Sequence, residues 1–153
     1  MQPHEARRLT GPNLLSYRPG AVLDVLLGGA AEEGADAEAR IAAWRRHARR
    51  MLDVLGWRDE ELAVRRFASG ASLFASAPID ALYTATDVVD WAWEAAGAAV
   101  PDSCAFEAAA ERLRLAAAGE RQPALLALRD AAAARGVAFL ADDDRVTVGL
   151  GTG

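Results

Sequence analysis

The chain has 153 residues, 52% of them hydrophobic and 25% charged, with a formal net charge of −5. That composition is globular, excludes a disordered chain, and is long enough to bury a sizeable core in one domain spanning 1–153. The acidic balance argues against a nucleic-acid partner, which needs a basic surface, and no apolar run reaches the ~18 residues of a membrane span. The sequence contains no lysine. Walker-A, Schiff-base and pyridoxal-phosphate chemistry are therefore excluded. Residues 1–20 carry charges and proline where the apolar stretch of a signal peptide would sit. With Cys104 as the single cysteine, no internal disulfide can form, and a cytoplasmic location is expected.

Residues 5–10 and 21–27 are rich in β-formers and read as two strands. Between them, Thr10-Gly11-Pro12-Asn13 and Arg18-Pro19-Gly20 break the pattern twice. Pro12 removes an amide, and no helix start follows, so this is no phosphate cradle. Pro12-Asn13 suits the centre of a tight turn, with proline fixing φ and asparagine tolerating a positive φ. Gly28-Gly29 and the acidic stretch to Asp36 read as a solvated connection. Asp36 can cap a helix that runs to about Leu55 and stops at Gly56. Its stripe of Ile41, Trp44, Ala48, Met51, Leu52 and Leu55 has helical spacing and should face a sheet. A strand, a bend at Ser69-Gly70 and a second strand follow, with Leu73 and Ala75 alternating with Ser72, Phe74 and Ser76.

Pro78 suits the first turn of a helix to about Ala96, burying Leu82, Ala85, Val89, Ala92 and Trp93. Asp102 or Ser103 can cap a third helix ending at Gly119, and Pro123 opens a fourth ending at Gly136. Two short β-runs around Asp142–Asp144 close the chain. The expected fold is α+β: a mostly antiparallel sheet covered by about four helices, in the order ββαββααββ.

Several residue groups could carry chemistry. The run Trp44–Arg50, together with Arg40 one turn before it, could grip an acidic polymer through Arg40, Arg45, Arg46, Arg49 and Arg50. The bland reading is a solvated helix face, with Asp36 pairing Arg40 and Arg49 pairing Asp53. Tyr83, Asp87, Asp90 and Glu94 share one side of a helix and could serve a small hydrolase or transferase, with or without a divalent cation. His4 and His47 lack zinc-site spacing, and Ser72 and Ser76 lack a nucleophile elbow. Cys104 follows a helix cap that could lower its thiol pKa, although a small buried residue is the simpler expectation. The tail GLGTG resembles half a dinucleotide fingerprint, without the strand-turn-helix that would complete it. No catalytic, cofactor-binding or metal-ligating residue is assigned.

Three segments together resemble a known family. RRLTGPNLLSYRPGAVLDV resembles the opening of cyanophycin synthetases and related bacterial Mur-ligase-like proteins: a strand, an L-x-GPN turn and a second strand. GASLFASAPIDALYTATDVVDWAWEAA is similar to the strand and helix that follow in their N-terminal domain. ARGVAFLADDDRVTVGLGTG resembles the passage into their next, ATP-using domain, so residues 137–153 read as its lead-in. Gly11, Pro12 and Asn13 are the most distinctive mark. The resemblance implies an N-terminal accessory domain of an ATP-dependent peptide ligase, one that helps to hold an acidic-basic polymer and contributes to oligomer contacts. Its expected partners are the catalytic ligase domains, a charged peptide or polymer, and further copies of itself. ATP and magnesium are implied for the parent ligase and not for this chain. In some synthetases the matching helix carries His and Glu in a metal-dependent hydrolytic site. Here Asp80–Glu94 has no His, and that activity does not carry over.

Overall fold

The computed structural model describes residues 5–27, 34–99, 103–142 and 145–149. His4, the Gly28-Gly29 connection, the Asp102 cap, Asp143, Asp144, Gly151 and Gly153 lie outside the described residues. The elements are β1 (Arg7–Leu9), β2 (Gly20–Leu26), α1 (Gly34–Val54), β3 (Leu62–Phe67), β4 (Gly70–Ser76), α2 (Leu82–Gly97), α3 (Ser103–Glu120), α4 (Pro123–Ala134), β5 (Phe139–Ala141) and β6 (Val146–Val148). The fold is α+β. Four antiparallel strands in the order β1-β2-β4-β3 form the main sheet, and β5 and β6 form a separate hairpin. Three helices run consecutively between β4 and β5, the three that the sequence places there one by one, where the compressed order ββαββααββ shows two.

The central pair β2–β4 carries the two-residue alternation seen in the sequence. Ala21 faces Ala75, Leu23 faces Leu73, and Val25 faces Ala71. All six are buried in one cluster with Trp44, Trp93, Val89 and Ala92 from the two helices laid on this face. Alanines in the sheet leave volume for the two indoles, as close packing requires. Trp44 is fully buried, and its indole N–H donates to the carbonyl of Val89 at 3.4 Å, which offsets the cost of burying that donor.

The α1 stripe is buried as its spacing predicts, except that Leu55 is only half-buried. Its last turns do not face the sheet. Met51 and Leu52 join Val88, Phe106, Ala109, Ala110 and Leu113 in a second core between α1, α2 and α3. Thr84 and Val88 of α2 are buried beyond the predicted stripe, because α2 is covered by α1 and α3 as well as by the sheet.

Element ends show which local signals matter. Gly56 has φ +80°, the Trp57 amide donates to Leu52 O at 2.8 Å, and the Gly56 amide donates to Asp53 O at 3.2 Å. Gly136 repeats this with φ +63° and bonds from Val137 to Ala132 O at 2.9 Å and from Gly136 to Ala133 O at 3.1 Å. Both are Schellman ends that need a left-handed residue. Two expectations are corrected. Asp36 lies within the first turn of α1, where its charge suits the helix dipole, instead of preceding it. Pro78 begins a turn, closed by the Ala81 amide on Pro78 O at 3.0 Å, and α2 starts only at Leu82.

The outer face of the sheet is close-packed at Gly20. A Cβ there would sit 2.2 Å from the Ala75 carbonyl oxygen and 2.8 Å from the Phe74 ring. Phe74 is itself fully buried. Gly20→Ala should therefore lower the unfolding free energy by about 1–3 kcal/mol, the usual cost of overpacking. Gly11→Ala, with nothing within 4 Å of the added carbon, should stay within about 0.5 kcal/mol of wild type. Urea titration of both variants measures the contrast, and equal midpoints would remove the steric account of Gly20.

Candidate functional site

The five arginines proposed on α1 do not form one uniform surface. Arg40 lies over the Trp93 ring at 3.9 Å, and Arg50 lies over Phe106 at 3.6 Å. Arg49 donates to the carbonyl oxygens of Arg58 at 3.1 Å and Glu60 at 2.6 Å, and it approaches Asp53 at 3.9 Å. These three guanidiniums hold α1 to α2, to α3 and to the connector before β3. Arg45 and Arg46 are exposed, and among the described residues no carboxylate pairs with either. Arg45, Arg46, Arg49 and Arg50 together line a shallow depression beside Asp53 and Val54, from which Arg40 is separate.

His47 lies within this helix with its ring edge-on to Trp91, the centroids 6.0 Å apart. Desolvation lowers its pKa below the ordinary 6.5, and the charges of Arg46 and Arg50 lower it further. Burial and the neighbouring guanidiniums thus both favour the neutral imidazole over a further positive charge on this helix.

The acidic side of α2 is engaged differently. Tyr83 is exposed, with the Arg8 guanidinium stacked 3.9 Å above its ring, and Asp87 pairs with Arg112 of α3 at 3.7 Å. Tyr83 and Glu94 stand three helical turns apart, too far to act on one reacting centre. Among the described residues no group of three His, Cys, Asp or Glu is arranged to hold a metal ion. Cys104 is exposed on the first turn of α3, contrary to the buried position expected for a small residue there.

Gly11, Pro12 and Asn13 shape the β1–β2 loop through a side chain. Asn13 Oδ1 accepts the amides of Leu15 at 2.8 Å and Ser16 at 3.0 Å, while its Nδ2 donates to Gly11 O at 3.1 Å and Arg18 O at 3.3 Å. No non-glycine described residue has a positive φ, so the left-handed turn expected at Asn13 is replaced by this Asx-type network. Arg18 then ties the loop to the β3 approach, donating to Asp59 O at 2.6 Å and standing 3.6 Å from both Glu60 and Glu61. The loop is fixed at both ends, yet Leu14 and Tyr17 remain 87% and 92% exposed.

A cleft of about 470 Å³, missed in the sequence, opens where β1, the start of α2, the α3–α4 elbow and the β5–β6 hairpin meet. Two carboxylates build it. Glu120 Oε1 and Oε2 accept the amides of Thr84 at 2.6 Å and Tyr83 at 3.0 Å, and the Thr84 hydroxyl also donates to Glu120. Asp80, buried below the cleft, accepts the Gln122 amide at 2.9 Å, at the N-cap of α4. Each acid satisfies helix-end amides that their own segment leaves unbonded, since Ala81 and Gln122 make no side-chain cap. Neither acid has the local spacing of a capping box, so sequence pattern alone could not find the pair.

No family model, curated protein or solved structure matches this chain. Among the described residues, no helix is long and apolar enough to cross a membrane.

The environment of His47 sets a pH dependence. Because its folded pKa lies below 6.5, the unfolded chain binds more protons between the two values, and stability rises with pH through that window. The contribution is fully present above 6.5 and is lost as pH falls through 6.5 to the lowered folded value. Thermal melts across this range should show a declining Tm on acidification that flattens in His47→Gln. An unchanged slope in the variant would assign the decline to other groups.

Proposed function

We propose that this chain is a non-catalytic binding and assembly domain for a charged peptide or polymer. It serves an ATP-dependent peptide ligase of the cyanophycin-synthetase-like or Mur-ligase-like kind, whose catalytic domains are its partners. The observation that carries the reading is the contrast along α1: Arg40, Arg49 and Arg50 are held against neighbouring elements, while Arg45 and Arg46 project to solvent. A rigid helix bearing two adjacent outward guanidiniums suits repeated carboxylates on a flexible chain, through forked, charge-assisted hydrogen bonds.

Each exposed contact is weak in water and screened by salt, so tethering of this kind depends on many carboxylates presented together. The resemblance around Gly11, Pro12 and Asn13 supplies the ligase context. The fixed loop carrying Leu14 and Tyr17 supports the assembly role, because its backbone is ordered before any partner arrives.

Isothermal titration with aspartate-arginine peptides and with polyaspartate tests the binding. Saturable heat at millimolar peptide or below, weakened by added salt and reduced at least fivefold in an Arg45→Ala/Arg46→Ala variant, is expected. No heat from the folded protein would eliminate polymer tethering.

A further inference from the structure

We propose that the cleft at the α3–α4 elbow is a second binding site, independent of the α1 arginines, for a small ligand bearing a carboxylate or phosphate group. Arginines from three separate elements line it: Arg8 of β1, Arg121 at the elbow, and Arg145 at the turn of the β5–β6 hairpin. Its volume of about 470 Å³ lies in the range of small-molecule sites. Ile79, Leu82 and Leu125 give it an apolar wall against which a short carbon skeleton can lie.

The charges on the lining are not equivalent. Glu120 and Asp80 line the cleft, but their oxygens accept main-chain amides of Tyr83, Thr84 and Gln122, which commits these two acids to the fold. Asp142 is an exposed acid at the rim, and its amide donates to Arg145 O at 2.8 Å. On the positive side, Arg121 and Arg145 are exposed, and among the described residues neither is paired with a carboxylate.

Three features fix where these arginines stand: the backbone at Arg121 and at Arg145, and the side chain of Arg8. Arg121 lies in the chain between Glu120 and Gln122, both fixed by hydrogen bonds to α2 or its approach. The carbonyl of Arg145 is held by Asp142, which closes the hairpin turn. The Arg8 guanidinium rests flat on Tyr83, so its planar fork is oriented by the ring. Guanidiniums brought to one cleft from three elements favour planar or tetrahedral oxyanions by forked hydrogen bonding.

Amide-resolved NMR titration at low salt tests the site, with inorganic phosphate and succinate as separate probes. Saturable shifts at the amides of 119–122 and 145–146 are expected with at least one probe, and the probe that saturates at the lower concentration identifies the preferred oxyanion. Arg121→Gln/Arg145→Gln should weaken that binding at least tenfold with an unchanged urea midpoint. Should the double variant not fold, Arg145→Gln alone should weaken it at least threefold. Arg45→Ala/Arg46→Ala should leave it unchanged, so failure of polymer binding on α1 does not bear on this site. Shifts that never saturate with either probe, or equal affinity in the cleft variants, would overturn the proposal.

Discussion

The carboxylate of Glu120 on the first-turn amides of α2 is the contact on which the rest of the arrangement depends. Helix α2 touches β1, β2, β4, α1 and α3, so its starting point sets the layer around it. Yet α2 begins at Ala81-Leu82 with no side chain of its own to satisfy Tyr83 and Thr84. The acceptor comes from the far end of α3, 36 residues beyond Thr84. Asp80 answers from the other side, taking the Gln122 amide 42 residues away. Two carboxylates exchanged between neighbouring segments thus fix both the entry to α2 and the turn from α3 to α4. Hydrogen bonds to charged acceptors are among the stronger polar contacts in a fold, and a buried amide left without one is costly.

The two candidate surfaces follow from this frame. Once α2 and α3 are placed, Arg40 finds Trp93 and Arg50 finds Phe106, which leaves Arg45 and Arg46 outward on the same helix. The elbow held by Asp80 and Glu120 brings Arg121 beside Arg8 and the hairpin's Arg145. Charge is therefore sorted by the packing: some arginines and acids join elements together, and others are left to meet a partner. A net charge of −5 conceals this sorting, because it averages over groups with unrelated surroundings.

What could be read from the sequence was local. Alternation put Leu73 and Ala75 on one face of β4, which the structure covers with helices, and helical spacing found Ile41, Trp44 and Ala48. Gly56 and Gly136 were legible as helix stops, where the structure gives both a positive φ. What escaped was set by partners distant in the chain. The burial of Val88 and Thr84 depends on α1 and α3 covering α2, and the cap by Glu120 has no signature near Tyr83. Gly70 reads as a turn residue, but its φ is not left-handed. Its requirement is steric, since a Cβ would lie 2.0 Å from the Val25 carbonyl oxygen across the sheet. Likewise, the five arginines of α1 look alike in sequence, and only the aromatic rings and carbonyls opposite them tell them apart.

Native-state hydrogen exchange at the amides of Tyr83 and Thr84 tests the central claim most directly. If Glu120 fixes the start of α2, both amides should exchange as slowly as those paired between β2 and β4, through openings that unfold the helical layer. Exchange at the rate of a frayed, unprotected helix end, with the β2–β4 amides still protected, would contradict it.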